Sequence, residues 1–557
     1  MRKTLADRRA RPLLAALAVV ALVTAACGGD DDTTPSTAAP TGPNTEPTQQ
    51  TDPPGATIPG TATPSTDEPA SPDSGDYDLD ATLVYAKHFV PTQFDPQTSA
   101  NFRSDRSWQE IIYDSLLEAA ETDNGIQVVG NLAESFEVSD DGLTMTLHLL
   151  EGVTFTDGTP FDSASVQANF ERGQTLEAST VKTIFSKIAS VDTPDASTVV
   201  LNLSEPDSAL PYWLATVPGF QVSPAAFAGD VSTTPVGTSA YTMAQATEAG
   251  VTYERRTDGN IWNPQTGLVK TIRLVATIDD NARINGYLSG EYDVIEVRET
   301  TLELAKDVEA DGEGTINYVI PQSPLVYYFN TSRPPFDDVR VRRALSLGID
   351  RESLNEGLFN GTCTPTDQLF PVGIAGHLSD VTPAYDPEQA IALLAEAGVP
   401  DLSFEMVFAA TPGVQRPAEA VQQMWADIGV NVTITPIDGG TVRAEFRGGR
   451  GDAAAILVPV DPPDPGNIMN QFVGVDNPGG QVDPELATLV ETVNGLSVTD
   501  PARVDALQAV SEYLRENPLH VTACSPSTGN MFHHNVVRVL PSYDTNGVGG
   551  LAILKDG

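Results

Sequence analysis

The chain reads as a mixed α/β protein of two or three domains, carried behind an exported and tethered N-terminus. Three observations predict this. Period-2 apolar runs alternate with capped helical segments along the body. From residue 77 to 557 that body is about 480 residues long, more than one hydrophobic core ordinarily organises. Ahead of it, residues 28–75 are Thr, Pro, Ser, Ala, Gly and Asp with almost no large apolar side chain, too little to offset the entropy of ordering.

The N-terminus predicts export. Arg2, Lys3, Arg8, Arg9 and Arg11 form a basic leader, and Leu13–Val23 is an apolar run of 11 residues. A hydrocarbon core of about 30 Å needs roughly 20 residues, so the run suits a signal peptide rather than a membrane span. Residues 1–26 are the expected signal. Thr24-Ala25-Ala26-Cys27 resembles a bacterial lipobox, with Thr24 where Leu is usual, which implies that Cys27 is acylated and becomes the mature N-terminus. Ordinary cleavage leaving Cys27 as a free thiol is the alternative. Prolines keep the 27–76 segment extended, as a semi-rigid tether that holds the body off the membrane. A glycosylated stalk fits the same Thr/Pro composition.

Removing the five basic residues and one acid of 1–26 from totals of 31 and 76 leaves 26 bases and 75 acids, a formal charge of −49. A nucleic-acid binder needs a basic surface, so no nucleic acid is expected as partner, and the body should not adsorb to anionic lipid. Membrane contact is expected through the lipid anchor alone. Beyond Cys27 the chain has Cys363 and Cys524. An even pair in an exported chain suggests one disulfide; two unconnected buried thiols are the alternative.

Within the body, Leu83-Val84-Tyr85 predicts a first strand, followed by a loop near Pro91. Phe136 and Val138, the Asp140-Asp141-Gly142 turn, and Leu143, Met145, Leu147 and Leu149 predict a hairpin with one buried face. Asp162 or Ser163 can cap a helix carrying Val166 and Phe170. Asp386-Pro387-Glu388-Gln389 supplies an N-cap, a first-turn proline and a capping-box partner, and Gly398 closes that helix. Asp500-Pro501 opens another, with Val504, Leu507 and Tyr513 inward and Pro518 as its stop. Ile428–Pro436 and Ala453–Val458 read as strands, and the alternation from about residue 320 onward suits an α/β lobe.

Several blocks in order carry a family resemblance. Leu132-Ala133-Glu134-Ser135-Phe136-Glu137-Val138-Ser139-Asp140-Asp141-Gly142 runs on through Glu151-Gly152-Val153-Thr154-Phe155-Thr156-Asp157-Gly158-Thr159-Pro160-Phe161. Pro235-Val236-Gly237-Thr238-Ser239-Ala240-Tyr241 follows, with Ser239-Ala240 in place of Gly-Pro. Then come Gly290-Glu291-Tyr292-Asp293, Asn330 with Pro335-Phe336-Asp337-Asp338-Val339-Arg340-Val341-Arg342-Arg343-Ala344-Leu345, Ile349-Asp350-Arg351, and Asp461-Pro462-Pro463-Asp464-Pro465. Over about 81–530 the chain resembles the extracytoplasmic solute-binding proteins, family 5, of oligopeptide, dipeptide and nickel ABC importers.

The resemblance implies a two-lobed, periplasmic-binding-protein-like fold of type II, with two strands crossing at the hinge and an extra subdomain in the first lobe. Lobe I would take 77–322 with the insertion at about 123–235, lobe II 323–525, and 526–557 would return to lobe I. It implies capture of a peptide or peptide-like solute between closing lobes, delivery to an ABC permease and its ATPase, and a monomer outside the cell membrane. The alternatives are a non-peptide solute, such as a metal chelate or sugar, and a signalling or chaperone role. By motif position Asp461 would hold a ligand ammonium, although Asp before Pro also caps turns. A Trp usual three residues earlier is Val458, which weakens the peptide reading in particular. From lobe I, the loop after the first strand supplies His88 and Phe89, the latter alternatively a core aromatic.

Other candidates carry less. Arg340, Arg342 and Arg343 alternate with Val339, Val341 and Leu345 on one helix and read as surface or interdomain charges. Adjacent His533 and His534 point to different sides of any regular element and lack a third ligand at zinc spacing. No metal and no cofactor are expected. No nucleophile elbow, His-Glu-x-x-His or phosphate loop is present, so no catalytic residue is assigned and the chain reads as a binding protein, not an enzyme.

Overall fold

The computed structural model describes residues 76–91, 93–99, 102–122, 125–319, 323–439, 441–458, 460, 465–470, 483–498, 500–539 and 548–555. The expected signal, Cys27, all but the last residue of the tether, and Asp461 lie outside the described residues. No helix among the described residues is long and apolar enough to cross a membrane.

The strand Thr82–Lys87 has Leu83, Tyr85, Ala86 and Lys87 buried, so both of its faces are covered, and it lies in the middle of a seven-stranded sheet. It pairs in parallel with Thr271–Ala276 on one side and Val294–Val297 on the other, Lys87 opposite Ala276 and Tyr85 opposite Val294. Beyond Val294–Val297 the sheet adds Thr528–Phe532 and then Thr315–Val319, both pairings antiparallel. Their core combines Leu83, Ile272, Val294 and Phe532 on one face with Ala86, Ile295, Ile316 and Met531 on the other.

Between the first and second of these parallel strands the chain builds a separate core from Leu116 to Ala215. It carries a four-stranded antiparallel sheet whose central Thr144–Leu149 strand buries Met145, Leu147 and Leu149. The expected hairpin is narrower than its apolar pattern: Val138 and Leu143 are exposed, because Leu143 still belongs to the turn after Gly142, which sits at φ 67°. Asp162 caps the Ser163–Thr175 helix by accepting from Ser165 N at 2.9 Å, while Ser165 Oγ accepts from Asp162 N at 3.0 Å. Val166 and Phe170 of that helix are buried, as their spacing predicts.

The second lobe is a five-stranded sheet in the order Asn431–Ile437, Ser403–Ala409, Ala453–Leu457, Leu325–Phe329, His520–Thr522. All five residues of Leu325–Phe329 are buried. Pro387–Glu396 is a helix capped by Asp386, which accepts from Gln389 N at 2.8 Å, and Gly398 follows it at φ 78°. The strand expected from Ile428 starts at Asn431, since Ile428–Val430 still closes the preceding helix, with Val430 N donating to Trp425 O at 2.9 Å. In the helix Ala502–Glu516, Val504 points outward at 42% exposure, against expectation. The inward stripe is Arg503, Leu507, Val510 and Leu514, because the Arg503 guanidinium reaches inside to Leu496 O at 2.6 Å.

The chain leaves the seven-stranded sheet at Val319 for Leu325, and returns through Cys524–Pro526 to Thr528. Cys363–Pro365 pairs with Cys524–Pro526, and a disulfide joins Cys363 to Cys524 with Cα atoms 5.6 Å apart.

His520, beside the return crossover, is 5% exposed, and burial pushes its imidazole down to about 3. The folded state therefore holds it neutral, while the unfolded chain takes up a proton near its ordinary value of about 6.5. Stability from this residue rises with pH between those two values and is flat above, with a slope of up to about 1.4 kcal/mol per pH unit. His520→Phe should flatten the pH dependence of the urea midpoint across that window; an unchanged slope would contradict the assignment.

Candidate solute cleft

In parallel α/β sheets, ligands bind outside the carboxyl ends of the strands. Here two such ends face one another. In lobe I, the Thr82–Lys87, Thr271–Ala276 and Val294–Val297 strands end on the side where Val319 and Thr528 lead across to lobe II. In lobe II, Leu325 starts at the crossover opposite Leu457, so Ala453–Leu457 and its parallel neighbours Ser403–Ala409 and Asn431–Ile437 end toward lobe I. The loops beginning at Lys87, Thr277 and Arg298 thus oppose those beginning at Ala410, Asp438 and Val458.

The lobe I wall is organised by charge. His88 Nδ1 lies 2.6 Å from Glu296 Oε2, and the His88 backbone N donates to the same oxygen at 3.2 Å. Burial alone would raise the Glu296 carboxyl, but the hydrogen bond and charge of His88, with Lys87 and Arg283, hold it well below the usual carboxylate range. Arg283, 1% exposed, ties the strand ends together: Nε donates to Glu296 O at 2.8 Å, Nη1 to Thr277 O at 2.7 Å, and Nη2 to the Asp280 carboxylate. Lys87 is buried, its Nζ 4.5 Å from the Tyr85 ring centroid. The imidazole is thus anchored through Nδ1 and remains partly exposed, able to offer its other face to a solute.

Phe89 lies edge-on to His88 at 4.6 Å between centroids and 6.2 Å from Trp108, half-packed on the lobe I core. Asp461 lies outside the described residues. Val458 is fully buried against the lobe II core and its N donates to Pro324 O at 2.9 Å. The arginines stay within lobe II: Arg340 forks onto Asp338, and Arg342, 7% exposed rather than superficial, donates to Phe336 O at 2.6 Å. His533 stacks on Tyr287 at 4.0 Å and His534 donates toward Gly312 O at 2.7 Å. Among the described residues no group of three potential metal ligands gathers.

Among the described residues the lobes touch across the cleft at several places. Glu299 meets Gly413 at the start of the Pro412–Asp427 helix, Glu303 accepts from Asn360 Nδ2, and Arg503 Nη1 donates to Ser208 Oγ at 3.4 Å. Val498 also packs on the inserted subdomain's core. The two lobes are therefore in direct contact across the cleft in this structure. Glu296, Arg283 and Glu299 carried no sequence signal, since their roles arise from the strand pairing of Tyr85 with Val294 and from contact between lobes.

Two α/β lobes joined by a double crossover, with strand ends facing a common cleft, define a two-lobed binding protein of the type II periplasmic architecture. The model of bacterial extracellular solute-binding proteins, family 5 Middle, matches residues 127–480. The chain belongs to that family, whose members are binding proteins rather than enzymes. It is 31% identical over 340 residues to the glutathione-binding protein GsiB of Escherichia coli, a match covering 58% of this chain and 64% of that relative's length. In solved structures it resembles the DppA periplasmic binding protein of Helicobacter pylori in complex with the peptide STSA, at a TM-score of 0.72 and 18% identity over 86% of this chain and 99% of that one. NikA of Brucella suis in complex with Fe(III)-EDTA is similar at a TM-score of 0.74 and 22% identity, covering 85% and 99% respectively. These likenesses establish the fold.

Proposed function

We propose that this chain is the extracytoplasmic substrate-binding lipoprotein of an ABC importer, capturing a peptide or peptide-like solute between two closing lobes and delivering it to a permease and its ATPase. The observation that carries this reading is the pair of opposed strand ends spanned by two crossovers, with a partly exposed imidazole held over a part-buried carboxylate. Hinge closure over such a cleft excludes water from the few polar groups that fix a ligand. The similarity to a glutathione-binding relative supports a peptide-like solute.

In this reading Cys27 carries the lipid, 27–76 spaces the body from the membrane, and the monomer works at the outer face of the cell membrane. Lobe I takes 77–322 with the insertion at about 123–235, lobe II takes 323–525, and 526–557 completes lobe I. His88 and Phe89 contribute from lobe I and Asp461 from lobe II. A non-peptide solute is the second reading, favoured by Val458, since no aromatic side chain stands at that position.

Mass spectrometry of solute co-purifying with the body tests the class of ligand directly. If Asp461 pairs a ligand ammonium in a desolvated cleft, Asp461→Asn should weaken an amine ligand by about 2 kcal/mol or more and spare its N-acetylated analogue. Equal loss for both, read by calorimetric titration, would remove Asp461 from the site.

A further inference from the structure

Gly413 occupies the second position of the Pro412–Asp427 helix in lobe II and is buried, and its φ is not positive. Neither a turn nor left-handed backbone calls for glycine there, and in a helix glycine is disfavoured relative to alanine. What faces it belongs to the other lobe. A β-carbon built on Gly413 would collide with Glu299 Oε1 and stand 3.2 Å from Cδ and 3.3 Å from Cγ of the same side chain. Glu299 follows the Val294–Val297 strand of lobe I. Its side chain is only 5% exposed and is held by Arg298 Nη2, 3.2 Å from Oε1, so it has little open space to swing into.

We infer that Gly413 is a closure-determining residue: the absence of its side chain is what lets Glu299 of lobe I seat against the first turn of the lobe II helix, and any side chain at 413 holds the lobes apart. This rests on the reading of the protein as one that binds by closing its lobes, and it adds the residue pair that sets how far they close. The inserted atoms press on a carboxylate flanked by Arg298 and by the lobe II helix, so the strain is relieved most readily by separation of the lobes. Two polar contacts across the cleft, Glu303 with Asn360 and Arg503 with Ser208, are expected to lengthen together with it.

The test is amide hydrogen exchange on the full chain, compared among the unsubstituted protein, Gly413→Ala, Glu299→Ala and the double variant, without added solute. Gly413→Ala should speed exchange at residues 298–303 and 358–362 about tenfold, the factor that a modest overpacking strain produces. It should leave the rest of the 412–427 helix as slow as before or slower, because alanine favours the helix. Glu299→Ala in the same chain should restore slow exchange at 358–362, since the colliding side chain is gone. Unchanged exchange in Gly413→Ala overturns the inference, and so does a loss that the second substitution fails to rescue. Gly413→Ser, with a side chain of similar size, is the parallel variant if the alanine chain folds poorly. The readout needs no solute, so a failure here stands apart from a failure of solute binding, which the co-purification and titration experiments report.

Discussion

Replacing Arg351 with methionine is expected to lower the stability of lobe II by about 3–5 kcal/mol, because it strips hydrogen-bond donors from several buried carbonyls at once. Arg351 is 3% exposed. Its Nε donates to Thr522 O at 2.9 Å and Thr366 O at 3.2 Å, and Nη1 to Ser346 O at 3.1 Å and Ala384 O at 3.2 Å. Nη2 reaches Ser346 Oγ at 3.1 Å. One guanidinium thus joins a helix end, two loops and the last strand of the five-stranded sheet. Burial pushes its pKa down to about 10, so it remains charged at neutral pH. Lysine would keep the charge but lose the planar fork, and should recover only part of the loss. The control is Arg340→Met on the preceding helix. Its 44% exposed side chain is paired with Asp338, and the change should stay within about 0.5 kcal/mol. The measurement is the urea midpoint of the lobe II transition at constant slope. A shift for Arg351→Met no larger than that for Arg340→Met would refute the role assigned to it.

Removing the Cys363–Cys524 disulfide, as Cys363→Ala with Cys524→Ala, should cost lobe II about 2–5 kcal/mol. The two residues are 161 apart in sequence, so the bond closes a long loop and restricts the unfolded chain strongly. In the folded state it fixes the strand pair Cys363–Pro365 and Cys524–Pro526 immediately before the chain returns to lobe I at Thr528. Both sulfur-bearing residues are 0% exposed. A reductant should therefore act slowly on the native protein and fast once urea opens lobe II. Intact mass of the non-reduced body, compared with the reduced one, checks the bond, and the urea midpoint of the double variant checks its contribution. Two thiols open to alkylation in the native protein would disprove the bridge.

Much of the fold was legible from local chemistry. Asp386 with Gln389, and Asp162 with Ser165, form caps where the sequence places them, because capping is decided by residues within one turn. Thr144–Leu149 alternates buried and half-buried residues as its period-2 pattern requires. The errors came where position relative to a neighbour mattered. Val504 looked inward by spacing, yet the buried Arg503 guanidinium rotates the helix's inner face away from it.

The site divides along the same line. His88 and Phe89 are candidates because the family resemblance places the loop after the first strand at the cleft. Glu296, which anchors His88, lies 208 residues away in sequence and could not be named that way. Arg283 and the Glu299–Gly413 contact were equally silent, for each is defined by strand register or by two lobes meeting. By itself, then, the amino-acid sequence determined the class of protein, a two-lobed α/β binding protein of a solute-binding family, through caps, periodicity and ordered family blocks that depend on near neighbours in the chain. Only the tertiary structure decided which charges converge on the cleft and where the lobes touch. Those properties come from long-range pairing and packing, whose energies depend on distance and burial in space and leave no mark in the order of residues.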